Sequence, residues 1–282
     1  MSQREQIATF VDQLTRHDGF APFSDAKLPA DPATGRAVLI AENGVVMALG
    51  AVASHIQSDG SKHWALETAV QPGMRFPAFE AAVLDASLAL VDKAEALSVW
   101  SRRSSLDSAL TDNGFVANRV LEFLIVDLPL GTGPAPTDDH RIRSFNRADV
   151  DEMISVNRAA FKDHREAGAL DTEEMSRYQS ESWFDADGIF IAEDESGRAV
   201  GFCWTKVHPN GDGEIFRIAV DPQNQGRGLG VALLGAGFSY LSGRSDVLRG
   251  VLWVDAGNTT AMDLYRSIGM TRDGSNREFS RG

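Results

Sequence analysis

The stretch Val220-Asp221-Pro222-Gln223-Asn224-Gln225-Gly226-Arg227-Gly228-Leu229-Gly230 decides how this chain is read. An apolar run starting near Glu214 leads into it, and Leu229, Leu233, Ala236 and Tyr240 follow at helical spacing. A strand therefore enters the segment and a helix leaves it. Glycines at 226, 228 and 230 let the backbone curl without Cβ clashes and turn several N–H groups to one side. Those donors, with the positive end of the following helix, make an anion site. Arg227 adds a fixed positive charge, and a diphosphate fits. Two other phosphate loops fail on spacing: there is no G-x-x-x-x-G-K-[ST], and no G-x-G-x-x-G followed by an acidic residue about 20 positions on. A glycine turn that caps a helix and holds no ligand remains the alternative on spacing alone.

Outward from the loop, Arg141 to Phe145 suggests a short strand, and Asn146 with Asp149 forms a short capping box before a helix. On that helix Val150, Met153, Ile154, Asn157 and Phe161 share one face. Ile189 to Glu193 and Ala199 to Val207 make a hairpin around Glu195-Ser196-Gly197. A strand over 214–220, a helix over 228–241, a strand over 251–255 and a last helix marked by Ala261, Leu264, Tyr265 and Ile268 complete the half. The order β-α-β-β-β-α-β-α is an α/β class layer with a mixed sheet.

The first half repeats this order. Ile7, Phe10, Val11 and Leu14 mark a helix. Strands are predicted near 37–42, 46–56 and 63–70, then a helix near 76–93 and strands near 97–101 and 119–127. Val38 to Gly44 with the apolar run reaching Gly50 aligns with Ile189 to Asp194 and the run reaching Gly201 at an offset of 151, and Asn113-Gly114-Phe115 matches Ile268-Gly269-Met270. This is a duplication of domain length rather than a short repeat. The Pro- and Gly-dense run from Leu128 to Asp139 divides the halves as a linker. The expected organisation is a first domain over 1–130, a linker over 131–139 and a second domain over 140–282.

Composition narrows the function. The chain has 282 residues, 43% of them hydrophobic, and a formal net charge of -13. That charge opposes broad nucleic-acid binding and docking on anionic membranes. No basic-then-apolar leader or long apolar span is present, so a soluble, cytoplasmic protein is expected, and a monomer. Cys203, the single cysteine, lies in the apolar run Gly201 to Trp204 and reads as a buried strand residue rather than a nucleophile. His63, His140, His164 and His208 lack paired ligand spacing, so no metal is expected.

A second segment, Asn258-Thr259-Thr260-Ala261-Met262-Asp263-Leu264-Tyr265-Arg266-Ser267-Ile268-Gly269-Met270, closes the half. Together, Gln225-Gly226-Arg227-Gly228-Leu229-Gly230 and this segment resemble the Q/R-x-x-G-x-G/A loop and the N-x-x-A-x-x-x-Y-x-x-x-G-F segment of the GCN5-related N-acetyltransferases. The resemblance implies two tandem acyltransferase domains of that family (GNAT) and acetyl-CoA as co-substrate. It places coenzyme contacts at Ile218, Ala219 and Val220, at Gln225, Gly226, Arg227, Gly228, Leu229, Gly230 and Val231, and at Asn258, Thr259, Thr260, Ala261, Met262 and Asp263. Amine attack on a thioester expels a thiolate, which a phenol within hydrogen-bond reach can protonate. The resemblance gives that role to Tyr265. Glu214 heads the strand leading into the loop; alone it reads as solvated or as a base, and the resemblance makes it the base.

Further residues carry a closer likeness to tandem members of the family that acetylate the cysteinyl amine of a cysteine–glucosamine–inositol conjugate. They are Asn157-Arg158-Ala159-Ala160-Phe161 with His164 and Glu166, Trp183-Phe184-Asp185 with Gly188, Gly201-Phe202, Trp204 to Pro209, Gly213-Glu214 and, in the first half, Asp18-Gly19 with Ala21-Pro22 and Asp25. The likeness implies a small amino-thiol sugar acceptor held by Asp25, Glu166, Lys206, Glu214 and residue 253. Three departures bear on that acceptor: Trp253 stands where the family has Tyr, Arg217 interrupts a usually apolar strand, and Gly257 replaces an Asp or similar residue. In the first half the matching loop reads Gln71-Pro72-Gly73-Met74-Arg75-Phe76-Pro77, without the glycine triplet and with a proline that lacks an N–H. That domain is expected to be degenerate and non-catalytic. Two other functions stay open: acetylation of another small amine or antibiotic, and a non-catalytic acyl-CoA sensor.

Overall fold

The computed structural model describes residues 2–19, 22–23, 35–56, 61–130, 140–162 and 170–281. Their elements are α1 (Gln3–Asp18), β1 (Gly35–Glu42), β2 (Val45–Ile56), β3 (Lys62–Val70), α2 (Pro77–Leu88), β4 (Leu97–Ser101), α3 (Asp107–Asp112), β5 (Val116–Asp127), β6 (Arg141–Ser144), α4 (Val150–Ala160), α5 (Thr172–Gln179), β7 (Ile189–Glu193), β8 (Ala199–Val207), β9 (Asp212–Val220), α6 (Leu229–Ser242), β10 (Arg249–Asp255), α7 (Thr259–Ser267) and β11 (Thr271–Arg281). The chain forms two compact units. The first joins Met1–Leu121 with Gly274–Gly282, and the second is Glu122–Asp273.

These limits differ from a cut at a linker. The run over 131–139 lies outside the described residues. The C-terminal residues enter the first unit because β11 pairs antiparallel with β4, from Arg277 opposite Ser101 to Arg281 opposite Leu97. The sequence did not predict β11: Thr271–Arg281 is almost wholly polar, and Asn276 and Phe279 are its buried side chains.

In the first unit the sheet runs β1-β2-β3-β4-β11, with β3 and β4 parallel. Its core gathers Trp64, Leu66, Leu84, Leu97, Val99, Leu110 and Phe279. The helix expected near 76–93 stops at Leu88.

In the second unit the sheet runs β10-β9-β8-β7-β6; β9 and β10 are parallel and the other pairs antiparallel. Helices cover both faces. On one, α6 and α7 bury Leu233, Leu234, Phe238, Met262 and Tyr265 against Cys203, Ile215 and Leu252. On the other, Met153 and Ile154 of α4 and Met175 and Tyr178 of α5 pack against Phe202, Trp204 and Ala219. The capping box before α4 forms as read: Ala148 N–H donates to Asn146 Oδ1 at 3.0 Å, and Asn146 N–H donates to Asp149 Oδ2 at 2.6 Å. The hydrogen bond from Arg143 holds the Asp149 carboxyl below the usual aspartate range. Cys203 is fully buried, and burial pushes its thiol pKa up, so it is a core residue.

Candidate active site

Two features of β9 build the site. The first is a bulge. Trp204 faces Arg217 and Thr205 faces Ile215, so Phe216 is an extra residue in the β9 strand. Ile215 and Ile218 join the α6 side while Phe216 joins the α4 side. Arg217 also turns to the α4 side, where its Nη1 donates to Asn157 Oδ1 at 3.2 Å. Asn157 is completely buried. This accounts for a charge in an apolar strand: the bulge delivers Arg217 to a polar partner rather than into the core. The second feature is a parting of strands. β9 pairs with β10 at three positions, Asp212 with Arg249, Gly213 with Gly250 and Glu214 with Val251. From Ile215 and Leu252 onward the two strands no longer pair.

Glu214 sits at the last paired rung, 9% exposed. It faces the α4 side with its register partner Lys206, itself 6% exposed. The Lys206 ammonium lies 4.3 Å from the centre of the Trp183 ring and 5.4 Å from that of Phe216. An ammonium over aromatic faces is stabilised without losing its charge. The rings of Tyr178, Trp183, Trp204 and Phe216 form the wall, with centroids 5.1–6.0 Å apart. Glu214 Oε2 lies 2.6 Å from His208 Nε2, a pairing the sequence reading missed. The signal was present: Lys206 and His208 are two apart on one side of a hairpin, so the strand pleat puts them on the face of Glu214. Trp253 alternates with Leu252 and Val254, which join the α6-side core, so it faces the Glu214 side; its ring lies 4.7 Å from that of Phe123. Asp25 and Glu166 lie outside the described residues.

The glycine loop leaves the end of β9. Asp221 Oδ1 accepts from Gln223 N–H at 2.9 Å, and Gln225 Nε2 donates to Val220 O at 3.1 Å, pinning the turn. Gly226 and Gly228 both have φ of +78°, a left-handed backbone. A Cβ at either would meet nothing within 4 Å, so the loop is open on that side. Gly228 is the N-cap of α6 and supplies no capping side chain. The N–H groups of Leu229, Gly230 and Val231 therefore belong to an uncapped helix start. Arg227 is exposed beside an open cavity of about 470 Å³ also lined by His140, Asn224 and Asp194-Glu195-Ser196. The uncapped N–H groups and the Arg227 guanidinium suit a diphosphate.

The remaining expected contacts divide. Ile218 and Val220 are half-buried on the α6 side, and Ala219 is buried on the other. Asn258 caps α7 by accepting from Ala261 N–H at 3.1 Å. Thr259 and Thr260 are exposed, and Ala261 is half-buried. Met262 is core, and exposed Asp263 pairs with Arg266 at 3.3 Å. Gly257 N–H donates to Asp255 Oδ1 at 2.8 Å. Tyr265 is 7% exposed in the cluster with Cys203, on the face of the sheet opposite Glu214. Burial pushes its phenol up to about 12, so it stays protonated at neutral pH, as an acid must. Among the described residues no group of three or more His, Cys, Asp or Glu side chains could hold a metal ion, and no helix is long and apolar enough to cross a membrane.

The counterpart loop of the first unit is closed on itself. Met74, Arg75 and Phe76 N–H groups donate to Gln71, Pro72 and Met74 carbonyls. Arg75 turns back to Asp18, Nη1 to Oδ1 at 2.7 Å, and to Val70 O at 2.9 Å. Arg103 pairs with buried Glu80 in the same cavity wall.

An uncapped helix behind a glycine loop, at the end of a bulged strand that parts from its parallel neighbour, defines an acetyltransferase of the GCN5-related type. A model described as the acetyltransferase (GNAT) family matches residues 154–270. The mycothiol acetyltransferase of Thermomonospora curvata is 35% identical, over 96% of this chain and 91% of its own length. That of Actinosynnema mirum is 33% identical, over 96% and 93%. Among solved structures, a GCN5-related N-acetyltransferase from Sphaerobacter thermophilus aligns with a TM-score of 0.71 at 21% identity, covering 98% of this chain and 91% of that one. A tandem GNAT protein from the clavulanic acid biosynthesis pathway also aligns with a TM-score of 0.71, at 13% identity, covering 99% and 95%. Both share the fold. The chain belongs to the mycothiol acetyltransferase family of GNAT enzymes, and it is an acetyl-CoA-dependent N-acetyltransferase.

Proposed function

We propose that this enzyme transfers the acetyl group of acetyl-CoA to the cysteinyl amine of the cysteine–glucosamine–inositol precursor of mycothiol, in the cytoplasm and as a monomer. The observation that carries the reading is Glu214, held beside Lys206 at the rung where β9 and β10 part. A thioester lying where the two strands part would meet the amine on the Glu214 face and Tyr265 on the other.

Backbone N–H groups from Gly226 to Val231 hold the diphosphate and Arg227 adds charge. Glu214 takes a proton from the acceptor ammonium, whose unperturbed pKa of about 7.7–8.0 makes a modest base sufficient. The freed amine attacks the thioester carbonyl. The C–N bond forms, the C–S bond breaks and Tyr265 protonates the departing thiolate; the surplus proton on the new amide nitrogen leaves to solvent, which reprotonates Tyr265. Lys206, the aromatic wall and Trp253 make the acceptor side of the site, in which charged groups meet sugar hydroxyls. The self-closed loop of the first unit supports a non-catalytic role there.

The test is a mass-spectrometric assay of acetyl-CoA with the cysteinyl-glucosaminyl-inositol acceptor and with a panel of other small amines. The reading expects acetylation of the cysteinyl amine at the highest kcat/KM of the panel. Preference for another amine would reassign the acceptor, and coenzyme binding without turnover of any amine would make the protein a sensor.

A further inference from the structure

The contact between His208 and Glu214 is shorter than a neutral hydrogen bond usually is, 2.6 Å from Nε2 to Oε2. Both side chains are largely enclosed, with His208 21% and Glu214 12% exposed. His208 is also fixed through its backbone. It closes the β8–β9 hairpin, donating from N–H to Asp212 O at 2.9 Å and accepting from Gly211 N–H at 2.9 Å. Asn210 Nδ2 donates to Asp212 Oδ2 at 3.0 Å, and Arg249 Nε donates to Asp212 Oδ1 at 2.7 Å. The imidazole is thus held by a rigid turn.

We infer that His208 is a positioning residue for the acetyl transfer: its Nε2–H holds one oxygen of Glu214 and leaves the other, Oε1, aimed at the acceptor amine. This rests on Glu214 being the base. A carboxylate tethered at one oxygen presents the other in one orientation, which is what proton abstraction requires. A positive imidazolium beside a carboxylate weakens it as a base, so the charge of the ring bears on turnover. Other charged groups on the elements packed against the pair are Lys206 on β8, Asp212 and Arg217 on β9, and Arg249 on β10. Asp212 pairs with Arg249, Arg217 donates to Asn157, and the Lys206 ammonium lies over the Trp183 ring.

The test uses the full-length enzyme with H208A and H208Q. Glutamine offers an amide N–H near the position of Nε2 but does not titrate. H208A is expected to lower kcat by about 10- to 100-fold, the scale of a misplaced catalytic group, with acetyl-CoA Kd within about twofold. H208Q is expected to recover most of that loss and to shift the acid limb of the kcat/KM profile. Wild-type kcat in H208A, or an unshifted acid limb in H208Q, would overturn the inference. A second arm needs no acceptor. The His208 ring resonance, assigned by its loss in H208Q, is titrated by NMR in wild type and E214Q. Its midpoint should fall in E214Q, where the carboxylate partner is gone; an unmoved midpoint would also overturn the pairing. If the wild type fails to acetylate the proposed acceptor, the functional reading fails on its own, and the NMR arm still decides the pair.

Discussion

Glu214 and Val251 are the last residues at which β9 and β10 face each other. One step beyond them the sheet has lost a hydrogen-bonded neighbour, and the bulge at Phe216 has turned the strand. A carboxylate is thereby fixed at the last paired rung of the two strands, on the strand that runs on into the glycine loop.

Replacing Glu214 by Gln keeps shape and removes basicity. The expected loss is about 10²- to 10⁴-fold in kcat, the usual worth of a general base. Calorimetry should find acetyl-CoA affinity within about twofold of wild type, since the diphosphate grip lies elsewhere. Equal losses in turnover and affinity would place Glu214 in the coenzyme site instead.

Gly226 and Gly228 test the loop. With φ of +78° and clear space around a Cβ, alanine at either position meets no clash but carries left-handed strain of about 1–2 kcal/mol. Coenzyme affinity should fall about tenfold or more in G226A and G228A as the loop relaxes. Retained affinity in both would mean that this backbone shape does not hold the ligand.

Tyr265 gives a pH signature. Its folded pKa of about 12 lies above the ordinary value of 10.0. The folded state therefore holds a proton that the unfolded chain releases above pH 10. Its contribution is whole below about pH 10 and is lost as pH rises toward 12, by about 3 kcal/mol for a two-unit shift. Denaturant unfolding should show wild type losing more stability than Y265F between pH 9 and 11.5, and Y265F should also lose turnover. Parallel stability curves would contradict the buried phenol.

The first unit offers a stability test independent of catalysis. Ser98 Oγ donates to Glu278 Oε1 at 2.6 Å and lies 2.8 Å from His63 Nε2. This polar chain ties β3, β4 and β11. S98A should cost about 1–3 kcal/mol, the penalty of an unmade buried hydrogen bond, read by urea unfolding. A neutral effect would mean that water replaces the hydroxyl.

Much of this was legible in the sequence because it is local. Glycine spacing set the loop, Asn146 and Asp149 set the start of α4, and the pleat set the β7–β8 hairpin. What escaped was short or non-local. α5 spans eight residues and buries Met175 and Tyr178, too little to register as a period. β11 draws its stability from pairing with β4, some 180 residues away in sequence. The parting of β9 from β10 is a relation between two strands that no window along the chain contains. The candidate base was read by resemblance, and its histidine partner emerged only when the hairpin brought residues 208 and 214 together.

The most direct measurement is a crystal structure of the enzyme with acetyl-CoA. The diphosphate should lie within hydrogen-bond distance of the N–H groups between Gly226 and Val231, with the thioester where β9 and β10 part, past Glu214. A coenzyme bound elsewhere, with that loop empty at saturating ligand, would contradict the account.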